Sequence, residues 1–404
     1  MFFRSRPTAT PRSKGRPAEV LRVFLKLGLM SFGGPVAHIG YFREEFVVRR
    51  RWIDDPAFSD LVALCQFLPG PASSQLGFAI GLIRAGYLGG LAAWTGFTLP
   101  SAIALLLVAY GADAATGSAA MGLLHGLKLV AVAIVAQAVW GMARTLCPDR
   151  QRASMAVVAT IIMLASASSI TQIVVLLSGG IAGFRLCRTS APASTAAMVV
   201  PVSQGIAKLS LVIFTLLLIG LPMLRGLASW HGVALFDAFY RSGALVFGGG
   251  HIVLPLLRNA FVASGWVADE IFLAGYGAAQ AVPGPLFSFA AYLGAVAAPL
   301  PHRVAGAALG LIGIFLPGML ILLGTLPFWD KLRVRTGAQA IVRGVNAAVV
   351  GLLGAALYDP IWISSVKTSG DFSAVLVGFT LLTVWRAPPL LIVILGALTG
   401  VYRG

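Results

Sequence analysis

The sequence predicts an all-α integral membrane protein, a duplicated bundle of about 10 to 12 transmembrane or re-entrant helices. Three observations carry this. Apolar residues make up 58% of the 404 and charged residues 11%, against about 25% charge in soluble domains. Long apolar runs lie at 91–110, 131–143, 210–221 and 304–326, and a bilayer-crossing helix needs about 20 such residues. One ordered set of motifs also occurs twice along the chain.

The first element, residues 1–19, reads as a disordered basic cytoplasmic tail. Arg4, Arg6, Arg12, Lys14 and Arg16 precede any acid, and the apolar run begins only at Val20, which argues against a cleavable signal peptide. The first repeat is predicted at 20–187, with spans near 21–39, 57–83, 88–111 and 120–144 and one or two within 153–185. Residues 188–206, rich in Ser, Thr and Pro, read as a linker. The second repeat, 207–404, has spans near 207–225, 234–256, 269–297, 303–325, 338–358 and 372–400.

The repeat rests on five landmarks. Phe32-Gly33-Gly34-Pro35 answers to Phe247-Gly248-Gly249-Gly250, Arg51-Trp52 to Gly265-Trp266, and Gln66 with Pro69-Gly70-Pro71 to Gln280 with Pro283-Gly284-Pro285. Gly96 and Pro100 then answer to Gly313 and Pro317, and Gly126 with Lys128 to Gly344 with Asn346, at spacings of 214 to 218 residues throughout. An odd number of spans per half relates the halves by an inverted pseudo-two-fold axis. The charges pose a problem at the first span: Arg49, Arg50 and Arg51 follow it while the basic tail precedes it. Either that span is re-entrant or amphipathic, or Glu44, Glu45, Asp54 and Asp55 balance the arginines in an exposed loop.

The net charge is +16, but the basic residues are dispersed along apolar sequence, as at the cytoplasmic edges of a polytopic membrane protein, and not as in a nucleic-acid binder. Cys65, Cys147 and Cys187 lack metal-ligand spacing. No nucleotide phosphate loop, H-E-x-x-H or G-x-S-x-G motif is in place. The chain therefore reads as neither an enzyme nor an ATP-driven pump, and as needing no cofactor or metal.

The glycine and proline landmarks interrupt segments that would otherwise be continuous helix, because proline removes a backbone donor and paired glycines permit unusual torsions. In hydrocarbon such a break is tolerated only when buried in protein or lining a polar cavity. A helix that restarts there presents unpaired N–H groups and the positive end of its dipole, which suits an anion. The candidate anion-binding residues are Gly33, Gly34, Pro35, His38, Gln66, Pro69, Gly70, Pro71, Ser73 and Ser74 in the first half. In the second they are Gly248, Gly249, Gly250, His251, Gln280, Pro283, Gly284, Pro285 and Ser288. Gln75 also follows the first break. Glu45 and Lys128 are candidates for proton coupling or anion attraction. Packing glycines and a snorkelling lysine would leave the same traces in sequence.

Phe32-Gly33-Gly34-Pro35 with Ala37-His38-Ile39, Arg51-Trp52, Leu64-Cys65-Gln66-Phe67-Leu68-Pro69-Gly70-Pro71 and Gly275-Tyr276-Gly277-Ala278-Ala279-Gln280-Ala281-Val282-Pro283-Gly284-Pro285 resemble the chromate transporter family in its long two-domain bacterial form. The resemblance runs from about residue 20 to the C-terminus. It implies a multi-pass inner-membrane carrier that exports chromate and confers resistance, with sulfate as an analogue, no cofactor, and coupling to protons. Its motif positions also include Glu45, Trp52 and Trp266. The chain departs from the pattern where Glu45 has its repeat equivalent: an acid is expected, and Arg258-Asn259-Ala260 stand there. Partners expected are the oxyanion, protons and membrane lipid, with no nucleic acid; a homodimer is compatible with the sequence. Carriers of other anions, a membrane assembly protein and a lipid enzyme are the competing classes, and the duplicated breaks argue against the last two.

Overall fold

The computed structural model describes residues 15–32, 34–114, 118–166, 169–188, 201–227, 231–247, 253–297, 303–329 and 335–403. The tail to residue 14, linker residues 189–200, and Gly33, Gly248, Gly249, Gly250 and His251 among the candidates lie outside them. Everything described with regular structure is helical.

Helix α1 (Pro17–Met30) is followed across a break by α2 (Gly34–Arg43), which continues as a π-helical turn, Glu44–Arg49. The pair returns to where it started. Arg84 reaches Glu19 in the first turn of α1 at 3.2 Å and also lies 5.2 Å from the ring of Trp52, just past α2. The predicted span at 21–39 is thus a helical hairpin whose two ends lie together, with basic residues flanking it on both sides. Its start, the Arg49–Trp52 segment and Arg84 form what we call the near end.

The second predicted span divides in the same way. Asp54 caps α3 (Asp55–Phe67) by accepting from the Ala57 amide, and the helix stops at Leu68, before Pro69. The chain resumes as α4 (Ala72–Ala114), whose backbone bends sharply at Ala85 and Gly86. The first arm of α4 leads back to Arg84 at the near end, and the second runs from there across the molecule. A helix of 13 residues such as α3 is only about 20 Å long, too short to cross a bilayer alone.

Helices α5 (Ser118–Leu146), α6 (Arg150–Ala165) and α7 (Ser169–Leu186) complete the first half. The second follows the same order. It comprises α8 (Gln204–Leu227), α9 (His231–Ala244), α10 (Val253–Phe261), α11 (Asp269–Ala281), a 3-10 turn Leu286–Ser288 leading into α12 (Phe289–Val296), and α13 (Arg303–Thr325). Helices α14 (Thr336–Ala356), α15 (Ser369–Thr383) and α16 (Pro389–Arg403) close the chain. The predicted spans at 234–256 and 269–297 are, like their first-half counterparts, pairs of short helices meeting at a break, and 372–400 is two helices joined near Arg386. Among the described residues five helices are long and apolar enough to cross a membrane, within Ala72–Gly111, His125–Leu146, Gln204–Arg225, Arg303–Phe328 and Thr336–Ser365.

Packing recurs at the repeat spacing. Gly28 of α1 lies against Gly96 and Phe97 of α4, where an added methyl would sit 2.7 Å from a backbone oxygen, and Gly243 of α9 lies against Ile314 of α13 beside Gly313. Small residues let these backbones approach closely. Other contacts cross between the halves. Gly126 of α5 meets Gly396 and Gly400 of α16, while Gly344 of α14 meets Gly179 and Gly183 of α7. The Thr160 hydroxyl of α6 donates to the carbonyl of Gly351 on α14, and Gly378 of α15 packs on Ala133 of α5. The last two helices of each half are therefore seated on the other half.

Candidate functional site

The two Pro-Gly-Pro breaks meet the other half by one reciprocal arrangement. Leu68 and Val282, which end α3 and α11, are both extended (φ −81°, ψ 152° and φ −89°, ψ 144°), and the glycines that follow have φ of +119° (Gly70) and +101° (Gly284). That region admits glycine and penalises side chains. The Gly70 amide donates to the carbonyl of Val246 at 2.7 Å, and the Gly284 amide donates to the carbonyl of Ser31 at 2.9 Å. Ser31 and Val246 are themselves repeat equivalents, each just ahead of its half's glycine motif.

Each break also rests on the long helix of the opposite half, one residue past the proline inside that helix. Gly70 and Pro71 abut Gly318 of α13; Gly284 abuts Ser101 of α4. Gln75 ties the first break to the opposite half: its Nε2 donates to the Pro69 carbonyl of the break and to the Gly318 carbonyl of α13, both at 2.9 Å. On the second side the Ser101 and Ser288 hydroxyls lie 2.7 Å apart, and Ser101 donates to the Thr98 carbonyl at 2.9 Å. Each break is thus tied to the opposite half by a side chain, through a backbone carbonyl on the first side and through a hydroxyl pair on the second.

His38 joins this cluster and is fully buried. Its Nε2 lies 3.1 Å from the Ser31 carbonyl, which can only accept, so that nitrogen carries the proton. Its Nδ1, 3.3 Å from Ser73, accepts from the hydroxyl when the ring is neutral. The Ser31 carbonyl consequently accepts from both His38 and Gly284, one donor from each half.

Other buried polar atoms beside the breaks have no partner among the described residues: the hydroxyls of Ser31, Ser74 and Thr98, Oε1 of Gln75 and Nε2 of Gln280. Nearly all buried polar atoms in proteins are paired, so this concentration marks a place able to receive a polar guest. Hydroxyl and amide donors, with the first-turn N–H groups of the restarted helix α4, offer an oxyanion hydrogen bonds without a full positive charge.

The predicted residues fall into separate places. Pro69, Gly70, Pro71, His38, Ser73, Gly284 and Ser288 come together at the breaks, with Gly34, Pro35, Pro283 and Pro285 in the adjoining turns. The Gly70 and Gly284 amides are engaged across the halves. Gln66 is exposed and Gln280 partly buried. Lys128 lies apart, 3.7 Å from Glu270 at the start of α11. This is the far end, where Arg303 donates to the carbonyl of Ala109 at 3.1 Å.

Glu45 sits at the near end, outside the long spans. Its buried carboxylate accepts from Arg49 at 2.7 Å and from Arg50 at 2.6 Å. Burial alone would raise its pKa, but the Arg50 hydrogen bond and the charges of Arg49, Arg50 and Lys26 outweigh this and hold it below the usual carboxylate range. At the departure from the family pattern, Arg258 pairs with Asp269 at 2.8 Å, as Arg43 pairs with Asp55 at 2.8 Å. Arg258 is therefore the equivalent of Arg43, and Ala260 is the equivalent of Glu45. Ser31, Ser101 and Gly318 were not singled out from sequence, although Ser31 adjoins one repeat landmark and the other two follow the repeated prolines Pro100 and Pro317.

The sequence profile described as chromate transporter matches the chain twice, over residues 18–184 and 233–401. The chain is 29% identical over 372 residues to the chromate transport protein of Pseudomonas aeruginosa, covering 90% of this chain and 86% of that one. It is 26% identical over 401 residues to the probable chromate transport protein of Synechococcus elongatus, covering 95% and 94%. To the chromate transport protein of Cupriavidus metallidurans it is 24% identical over 348 residues, covering 84% and 81%. No solved structure matches.

Proposed function

Because the chain belongs to the chromate transporter family, as a multi-pass inner-membrane carrier of oxyanions and not an enzyme, we propose that it exports chromate by alternating access. In this reading the dianion is held between the Pro69-Gly70-Pro71 and Pro283-Gly284-Pro285 breaks. The observation that carries it is the reciprocal pair of hydrogen bonds, Gly70 to Val246 and Gly284 to Ser31, with the unpaired hydroxyls and amide around it. A dianion is costly to strip of water, so it binds only where several donors converge.

Two further readings accompany it. The halves are copies of one unit in inverted orientation. The double profile match and the crossed contacts support this, because a two-fold relation makes contacts occur in reciprocal pairs. So does Arg303: it opens α13 at the repeat position of Gly86, yet touches Ala109, about 35 Å along α4 from Gly86. The near end faces the cytoplasm, since Arg16, Arg43, Arg49, Arg50, Arg51 and Arg84 gather there.

The membrane potential favours exit of a negative charge by about 2.3 kcal/mol per charge per 100 mV, and exchange against protons supplies further drive. Inverted vesicles carrying the protein should take up radiolabelled chromate saturably, faster with an imposed proton gradient, and sulfate should compete. Uptake of sulfate alone would replace chromate by its analogue, and uptake of neither would end the reading.

A further inference from the structure

The first half has a buried carboxylate under two arginines beside Trp52; the second has Ala260 in place of that acid. Another carboxylate occupies its surroundings. Asp237, on α9, is fully buried, and its Oδ2 accepts from Arg241 at 2.6 Å and lies 3.8 Å from Arg225. Arg225 in turn lies 5.8 Å over the ring of Trp266, the repeat equivalent of Trp52, as Arg50 lies 5.6 Å over Trp52. The elements correspond: one buried acid, two arginines, one aromatic face, and a net charge of +1.

The helices that supply them differ: the turn after α2 gives Glu45, Arg49 and Arg50, whereas α9 gives Asp237 and Arg241 and α8 gives Arg225. The position equivalent to Asp237 in the first half is Arg22, and that equivalent to Arg241 is Lys26, so no comparison of repeats in sequence would align the two acids. Trp266 lies just ahead of α11, whose Glu270 reaches Lys128, which puts this cluster on the far side, opposite Glu45.

A purely structural ion pair accounts for this poorly. Asp237 Oδ1 and Arg241 Nε are both buried without a partner among the described residues, and a buried ion pair with unsatisfied atoms is less stable than well-packed apolar residues in its place. The arginine side chains meanwhile stay within reach, 46% exposed at Arg225 and 35% at Arg241. Planar guanidinium groups suit tetrahedral oxyanions.

We infer that Asp237 is the second half's counterpart of Glu45: a positioning residue that holds Arg225 and Arg241 as a docking pair for a tetrahedral oxyanion on the far side. This rests on the transport reading above. Without the carboxylate the two arginines repel each other and lose their common geometry. Restoring a carboxylate at the position Glu45 occupies in its own half should restore that geometry.

The test is chromate uptake by the full-length protein in proteoliposomes, with KM and maximal rate measured separately. Asp237→Asn should raise KM about tenfold with little change in maximal rate, and adding Ala260→Glu should return KM most of the way to wild type. Arg225→Gln, at a half-exposed position, should raise KM similarly and serves if Asp237→Asn does not fold. A wild-type KM in Asp237→Asn or Arg225→Gln, or a double variant no better than Asp237→Asn alone, would overturn the inference. Wild-type protein that moves neither chromate nor sulfate would instead overturn the transport reading itself.

Discussion

The Gly284 amide donates to the Ser31 carbonyl at 2.9 Å, so the second half's helix break is held by the residue that ends α1 in the first. The bond requires Gly284 at φ +101°, with Ser101 and Phe97 packed where a side chain would begin. Gly284→Ala should lose about 1 to 2 kcal/mol from backbone conformation alone. Gly70→Ala should lose more, because its methyl would meet the Cα of Gly318 at 2.9 Å, which cannot rotate aside as the Ser101 hydroxyl can. Thermal unfolding in detergent should rank them wild type, Gly284→Ala, Gly70→Ala in falling order. Equal stability of all three would contradict the packing.

Gln75 satisfies two carbonyls with one amide. Gln75→Leu keeps similar bulk and leaves both without that donor, at a cost of about 1 to 3 kcal/mol. We expect a lower melting temperature and a severe loss of chromate uptake, and a wild-type melting temperature would show that other donors take over.

Ser101 and Ser288 form the corresponding tie on the other side. A double-mutant cycle with alanine at both positions should give a coupling of about 0.5 to 1.5 kcal/mol in unfolding free energy. Strict additivity would mean that the hydroxyls do not interact.

Glu45 has its pKa lowered by its arginines. A carboxylate whose folded pKa lies below its unfolded value, about 4.3 for glutamate, contributes stability above that pH and loses it as pH falls through the folded value. Wild-type protein should therefore shed stability on acidification below about pH 4 more steeply than Glu45→Gln, which has no such charge to lose. Parallel acid limbs in thermal melts would show that the clamp contributes nothing.

The crossed packing of α5 on α16 and α14 on α7 predicts the behaviour of a divided chain. Residues 1–200 and 201–404 produced separately should each be unstable, whereas produced together they should co-purify. Independent stability of either piece would mean that the crossing is dispensable.

Much of this was legible in the sequence because interruptions in apolar segments carry strong chemistry. Pro69-Gly70-Pro71 and its counterpart marked both breaks, and Arg49, Arg50 and Arg51 behind a basic tail made a re-entrant first segment one of two alternatives. The partners of the breaks were not legible. Ser31, Ser101 and Gly318 are ordinary residues whose role comes from a contact made across the halves. Asp237 escaped for a related reason: it does not align with Glu45, and only folding brings it beside Trp266. Hydropathy assigns the short helices of the breaks to full spans, because it counts apolar residues without registering that the chain doubles back.

The crossing constrains how the molecule can move. With each half's closing helices clasped by the other, the N-terminal and C-terminal portions cannot swing apart like two jaws. The available seam runs elsewhere, between the block carrying the doubled-back hairpins (α1–α4 with α9–α13) and the frame of α5–α7 with α14–α16. Passage from one face to the other would then come from these two groups of helices moving against each other.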